Sequence, residues 1–138
     1  MEEHVMKIAI IAADFHKKIA QEMISNAKRA AQAKGIEVAS IVKVCGCFEI
    51  PLALKRELAR TDIDGAVVLG ALVQGETSHD EIVAYTVAEK VSDLSLKFDK
   101  PVGYGITGPR MSVAQAKARA KDFSVRSVEA VARILKIA

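Results

Sequence analysis

Two kinds of apolar pattern alternate along the chain. Four continuous runs of strand length, "MKIAIIAA" (6–13), "IEVASIVKV" (36–44), "DGAVVLGALV" (64–73) and "KPVGYGIT" (100–107), are each followed by a stretch of helical spacing. "HKKIAQEMISNAKRAAQAKG" repeats Ile19, Met23, Ile24, Ala27 and Ala30 on one face, and Gly35 is placed to close that helix as a C-terminal cap. "CGCFEI" reads as a loop, and "PLALKRELAR" (51–60) as a short helix that opens on proline, where a missing N–H costs nothing. "SHDEIVAYTVAEKVSDLSLKFD" carries Ile82, Val83, Val87, Val91 and Leu94 at helical spacing. "SVAQAKARAKDFSVRSVEAVARILKIA" supplies one long helix or two consecutive ones. The third run is apolar at successive positions, as in a central parallel strand covered on both faces.

The order βαβαβαβα with short connections predicts one domain over residues 1–138. Its architecture is an α/β fold of the flavodoxin-like kind, a three-layer αβα sandwich around a four-stranded parallel sheet with right-handed crossovers. Ligands of such sheets sit outside the C-terminal strand ends. Those ends are "ADFH", "VCGCFE", "ALVQGETSH" and "TGPR", and the chemistry-bearing residues of the chain fall in them.

Composition narrows the picture. The 138 residues are 51% hydrophobic but only 4% aromatic, with no Trp, so the core is built from Val, Ile, Leu and Ala. A chain of this length buries roughly two-thirds of its unfolded surface, enough for a core without disulfides or metals. The net charge is +3 with Lys and Arg scattered, which argues against a nucleic-acid face and permits an anionic small molecule. No apolar stretch reaches bilayer-spanning length, and the acidic start "MEEHV" lacks the basic region of a secretory signal. A soluble, cytoplasmic protein without membrane contact is expected. Cys45 and Cys47, two positions apart, cannot form an unstrained bridge.

The richest stretch is "GETSHDEIV" (75–83), with a glycine, two hydroxyls, three carboxylates and one of three histidines. Thr77 with Asp80, or Ser78 with Glu81, has capping-box spacing and would explain the hydroxyls and carboxylates structurally. Gly75 allows close backbone approach, and the N–H groups of Glu76 and Thr77 at a helix start form an anion site. His79 in the first helical turn is either a surface residue or a group that exchanges protons near neutrality. "GYGITG" (103–108) matches a dinucleotide fingerprint, but it lies inside the last strand with no later strand to complete a βαβ unit. Its glycines mark instead a close approach of backbone or ligand. "ADFHKK" lacks a phosphate-loop pattern, so no bound nucleotide or flavin is expected. "CGCF" is at best half a zinc site, so no metal is expected and the cysteines read as buried and unreactive. Phe15 either meets a ligand or caps the core. Lys117, Arg119 and Lys121 have the look of a solvated helix face.

Taken together, "ADFHKKI", "GCFEIPLALKREL", "DGAVVLGALVQGETSHDEIV", "KPVGYGITG" and "AQAKARA" resemble the 6,7-dimethyl-8-ribityllumazine synthase family, collinearly from about residue 6 onward. "GCFEIP" and "GETSHDEIV" are the most specific parts, and the latter looks like the archaeal branch. The resemblance implies a cofactor-free condensation in riboflavin biosynthesis. It joins 5-amino-6-(D-ribitylamino)uracil to 3,4-dihydroxy-2-butanone 4-phosphate through imine formation, phosphate elimination and ring closure, with phosphate as a product. His79 matches the family's general acid/base. Phe15 matches the aromatic stacked on the pyrimidine, and Cys47, Phe48 and Glu49 match the segment around the ribityl chain and ring edge. Ala71, Leu72 and Val73 match the backbone lining of the ring pocket, and Glu76 and Thr77 the phosphate cradle. Tyr104 and Arg119 match residues supplied by a neighbouring subunit, because family sites lie between subunits of a pentamer or of a larger shell built from pentamers.

The chain departs from the family pattern in carrying Cys45 where proline is usual and Tyr104 for the commoner phenylalanine. It also has "AKDFSVRSV" in place of a glycine- and lysine-containing bend, and almost no N-terminal extension. Two other activities fit the same fold. An archaeal-type riboflavin synthase, which dismutates lumazine, is disfavoured by the full "GETSH" turn, and a non-catalytic flavin- or lumazine-binding shell protein would leave His79 without a task.

Overall fold

Strand β1 (Lys7–Ala13) is apolar on both faces because it lies in the middle of the sheet: Ile8, Ile10 and Ala12 point into one apolar layer and Ala9, Ile11 and Ala13 into the other. The computed structural model describes residues 4–136, so the acidic Met1–Glu3 and the final Ile137 and Ala138 lie outside the described residues. After β1 come α1 (Lys17–Ala33), β2 (Glu37–Val44), a single 3-10 turn (Cys47–Glu49), α2 (Ile50–Leu58) and β3 (Gly65–Ala71). They are followed by α3 (His79–Phe98), β4 (Val102–Thr107) and α4 (Val113–Ile134). All strand pairs are parallel in the order β2-β1-β3-β4. That is the flavodoxin-like arrangement, with the switch point between β1 and β3.

Helices α1 and α4 cover one face and α2 and α3 the other. The Gly35 cap forms as expected: Gly35 has φ +70°, its N–H donates to Gln32 O at 3.1 Å, and Ile36 N–H donates to Ala31 O at 2.9 Å. This pair of bonds is the Schellman pattern. Lys100 Nζ reaches the carbonyls of Leu58 and Arg60 at 2.8 Å each, supplying donors and a positive charge where α2 ends.

Several boundaries differ from the sequence reading. Helix α2 begins at Ile50, one residue before Pro51, and part of the expected "CGCFEI" loop is the 3-10 turn. The third strand is shorter than the apolar run, because the chain leaves the sheet at the rim after Ala71 while Leu72 and Val73 stay half-buried. The last helical stretch is one continuous helix through "AKDFSVRSV". It starts from a capping box that the sequence reading passed over: Gln115 N–H donates to Ser112 Oγ at 3.1 Å, and Ser112 N–H to Gln115 Oε1 at 2.9 Å.

The glycines of β4 act as inferred. A Cβ on Gly103 would fall 2.0 Å from Ser127 O, so α4 lies against the bare strand backbone there. Gly103→Ala is therefore expected to destabilise the fold by about 3 kcal/mol or more, since backbone on both sides cannot yield. Gly75→Ala, whose Cβ meets nothing within 4 Å, should cost far less. Urea unfolding midpoints of the two variants check this.

Candidate active site

Three of the four C-terminal strand ends converge on one cleft of about 600 Å³, within the range of roughly 300–1,000 Å³ typical of small-molecule sites. Phe15 and His16 enter from the end of β1, and Cys45 to Glu49 from the end of β2. Ala71, Leu72, Val73, Gly75 and Thr77 enter from the end of β3, and His79, Asp80 and Val83 from the start of α3. The connection after β4 does not line it.

Phe15 stands 73% exposed, its ring edge-on to His16 with centroids 5.1 Å apart. It does not cap the core, which settles one of its two readings. Phe48 is likewise 63% exposed and lines the same cleft. Both aromatic side chains therefore line the cleft without being buried in the core. The Glu49 carboxylate accepts the Gly46 N–H through Oε1 at 3.0 Å, which fixes the "GCFE" turn and leaves its other oxygen for a ligand hydroxyl.

Both cysteines were expected to be buried, but only Cys47 is. Its sulfur sits where a Cβ on Gly70 would come within 2.7 Å, so the bare glycine makes its seat. Burial, reinforced by the Glu49 charge, pushes the Cys47 thiol up to about 12. Cys45, two residues earlier and just past the end of β2, is exposed at the cleft.

The "GETSH" turn departs from the capping expectation. Ser78 occupies the cap position of α3 but its side chain accepts no cap hydrogen bond, and Thr77 Oγ1 receives only the His79 N–H at 3.3 Å. Asp80 and Glu81 turn away from their own helix start. Asp80 Oδ2 accepts the Arg110 N–H at 2.9 Å, and Glu81 Oε1 accepts from Arg110 Nε at 2.6 Å. Among the described residues, the N–H groups of Glu76 and Thr77 donate to no protein acceptor. They remain available at the positive end of α3. His79 is exposed on the cleft wall.

Of the residues singled out in the sequence, Phe15, Cys47, Phe48, Glu49, Ala71, Leu72, Val73, Thr77 and His79 meet in the cleft. Glu76 is exposed beside it. Tyr104 and Arg119 lie elsewhere: Tyr104 projects from edge strand β4, 37% exposed, and Arg119 is on the outer face of α4. Burial of its inner part raises the Tyr104 phenol to about 12, so it stays protonated. Lys117 and Lys121 are exposed beside Arg119. Among the described residues no group of three or more His, Cys, Asp or Glu could hold a metal ion. No helix there is long and apolar enough to cross a membrane. Sequence reasoning missed Arg110, although "TGPR" had been marked as a strand end; nothing local ties it to residues 29 and 30 positions earlier.

A family model described as 6,7-dimethyl-8-ribityllumazine synthase matches residues 5–138. A protein of that name from the archaeon Metallosphaera sedula is 44% identical over 136 residues, spanning 99% of this chain and 90% of its own. Those of Staphylothermus marinus and Picrophilus torridus are 42% and 40% identical, covering 94% and 96% of this chain and 86% and 97% of theirs. Among solved structures, a diflavin flavoprotein A3 from Nostoc sp. shows 10% identity and a TM-score of 0.40 over 97% of this chain and 96% of its own. The fold assignment rests on the strand order itself.

The two thiols should separate chemically. Iodoacetamide at pH 8 is expected to label Cys45 and spare Cys47 until the chain is unfolded, as read by peptide mass spectrometry. The Cys47 thiol titrates near its ordinary 9.0 when unfolded and near about 12 when folded, so the folded state holds its proton longer. That contribution to stability is complete below pH 9 and declines as pH rises from 9 toward 12. Equal labelling of both cysteines in the native protein would contradict this assignment.

Proposed function

The chain belongs to the 6,7-dimethyl-8-ribityllumazine synthase family and is a transferase of riboflavin biosynthesis. From that premise we propose that the rim cleft is the condensation site, with His79 its acid/base. The observation that carries this is the meeting of Phe15, Glu49, Thr77 and His79, from three strand ends, around one cavity of suitable size.

In the proposed arrangement the pyrimidine of 5-amino-6-(D-ribitylamino)uracil stacks on Phe15, and its ring edge meets the backbone of Ala71 to Val73. The ribityl chain runs along Cys47 to Glu49. The phosphate of 3,4-dihydroxy-2-butanone 4-phosphate docks on the N–H groups of Glu76 and Thr77, where the α3 dipole favours negative charge. Imine formation, phosphate elimination and ring closure each move a proton, and His79, next to the phosphate cradle, serves them. Holding two substrates in reacting contact supplies much of the acceleration, so no cofactor or metal is invoked.

The same proposal places the site between copies of the chain, each acting as one domain in the cytoplasm. Two observations support it. Tyr104 and Arg119, which match ligand-contacting residues of the family, do not line the cleft of their own chain. Helix α3 also exposes Ile82 (63%), Tyr85 (58%) and Leu96 (79%), an apolar surface of the kind that a neighbouring subunit covers.

Mixing the purified protein with both substrates should raise the absorbance of the lumazine product well above the uncatalysed rate, and no acceleration would refute the site. Riboflavin formed from lumazine alone would favour the dismutating alternative. His79→Ala is expected to lower turnover by about ten- to a hundredfold with assembly intact, the residual rate reflecting substrate juxtaposition. Unchanged turnover would remove His79 from the mechanism. Light scattering should report a homo-oligomer, with activity lost on dilution into monomers.

A further inference from the structure

The turn proposed to receive a phosphate carries three carboxylates, Glu76, Asp80 and Glu81, within six positions. Acidic residues in a first helical turn are favourable to the helix, but here they add negative charge next to the turn where the phosphate would dock. The structure places one cation against them. Arg110, from the connection after β4, holds Glu81 Oε1 through Nε at 2.6 Å and gives its own N–H to Asp80 Oδ2 at 2.9 Å. Its backbone adopts φ +63°, a left-handed conformation that a non-glycine residue keeps only where its surroundings fix it. The hydrogen bond to Glu81 and that carboxylate's charge in turn hold the guanidinium firmly protonated.

We propose that Arg110 is the charge-compensating residue of the phosphate subsite: by pairing with Glu81 and binding Asp80, it allows a dianionic phosphate to dock on a turn that is otherwise acidic. This rests on the reading of that turn as the phosphate cradle. Arg110 does not line the cleft, so it acts through the field at the turn and through the position of the first turn of α3 rather than by touching substrate. A fixed cation there lowers the repulsion felt by every incoming phosphate and leaves the neutral pyrimidine unaffected.

Kinetics of Arg110→Gln, Glu81→Gln and the double variant test this, with the Ki of inorganic phosphate as a second probe. Arg110→Gln should raise the KM for the phosphorylated butanone and the phosphate Ki about three- to tenfold, with the KM for ribitylaminouracil unchanged and the effect shrinking in high salt. Glu81→Gln alone should raise neither. In the double variant, removing the uncompensated carboxylate should return both constants to within about twofold of the parent. Arg110→Lys, which keeps the charge and the N–H, should stay near the parent and serves if Arg110→Gln folds poorly. Unchanged constants in Arg110→Gln, a rise that Glu81→Gln does not relieve, or a loss of kcat alone would overturn the proposal. A parent protein without synthase activity would overturn the site reading instead. Phosphate binding, followed by phosphorus NMR, would then still test Arg110.

Discussion

Between Ile8 and Ala12, β1 pairs with a strand on each side, and every side chain of that stretch is buried in one of two apolar layers. A central parallel strand therefore has nowhere to hold a ligand-binding group except beyond its ends. Right-handed crossovers bring all four C-terminal ends to one rim, so residues far apart in sequence become neighbours there. Phe15, Glu49 and His79 share a cleft for this reason. The chemistry depends on the burial of residues that take no part in it.

The rim has its own internal support. The connection after β4 runs alongside the end of β3: Leu72 N–H donates to Thr107 O at 2.9 Å and Gln74 N–H to Met111 O at 2.8 Å. With the two Arg110 contacts, this connection holds the His79 turn from outside, and the turn needs no capping hydroxyl of its own. Along β4 itself, the bare Gly103 lets the Ser127 backbone of α4 come close.

The sequence was most legible where one local rule decides. Apolar runs located all four strands, and Gly35 closed α1 because only a residue tolerant of φ +70° fits that bond pattern. The glycines of β4 were legible as a close approach, though not what approaches. Legibility failed where a residue had a local and a distant partner open to it. Asp80 and Glu81 have capping spacing, yet Arg110 offers both a stronger charge and a fixed N–H, and the distant partner wins. Cys45 failed for a related reason: it stands at the rim just past β2, and its exposure follows from that position and not from the "CGCF" motif. Nine of the twelve candidate site residues, most of them taken from the family resemblance, lie at strand ends and line the cleft.

The balance of charge at the cleft bears on why a site built from one chain would be incomplete. Its walls carry the carboxylates of Glu49 and Asp80 and the imidazoles of His16 and His79, but no Lys or Arg. Backbone N–H groups and a helix dipole favour a phosphate within about one turn of the helix end, an effect that salt weakens. Arg110 offsets an acidic neighbour without adding a ligand to the anion. A bound dianion would still lack the planar fork of donors that a guanidinium provides. Arg119 stands exposed on α4 and does not line its own cleft. In the proposed assembly, it supplies that fork to the cleft of the next copy. Ordering of the subunits and neutralisation of the phosphate then become one event, which couples catalytic competence to assembly without any conformational switch inside the chain.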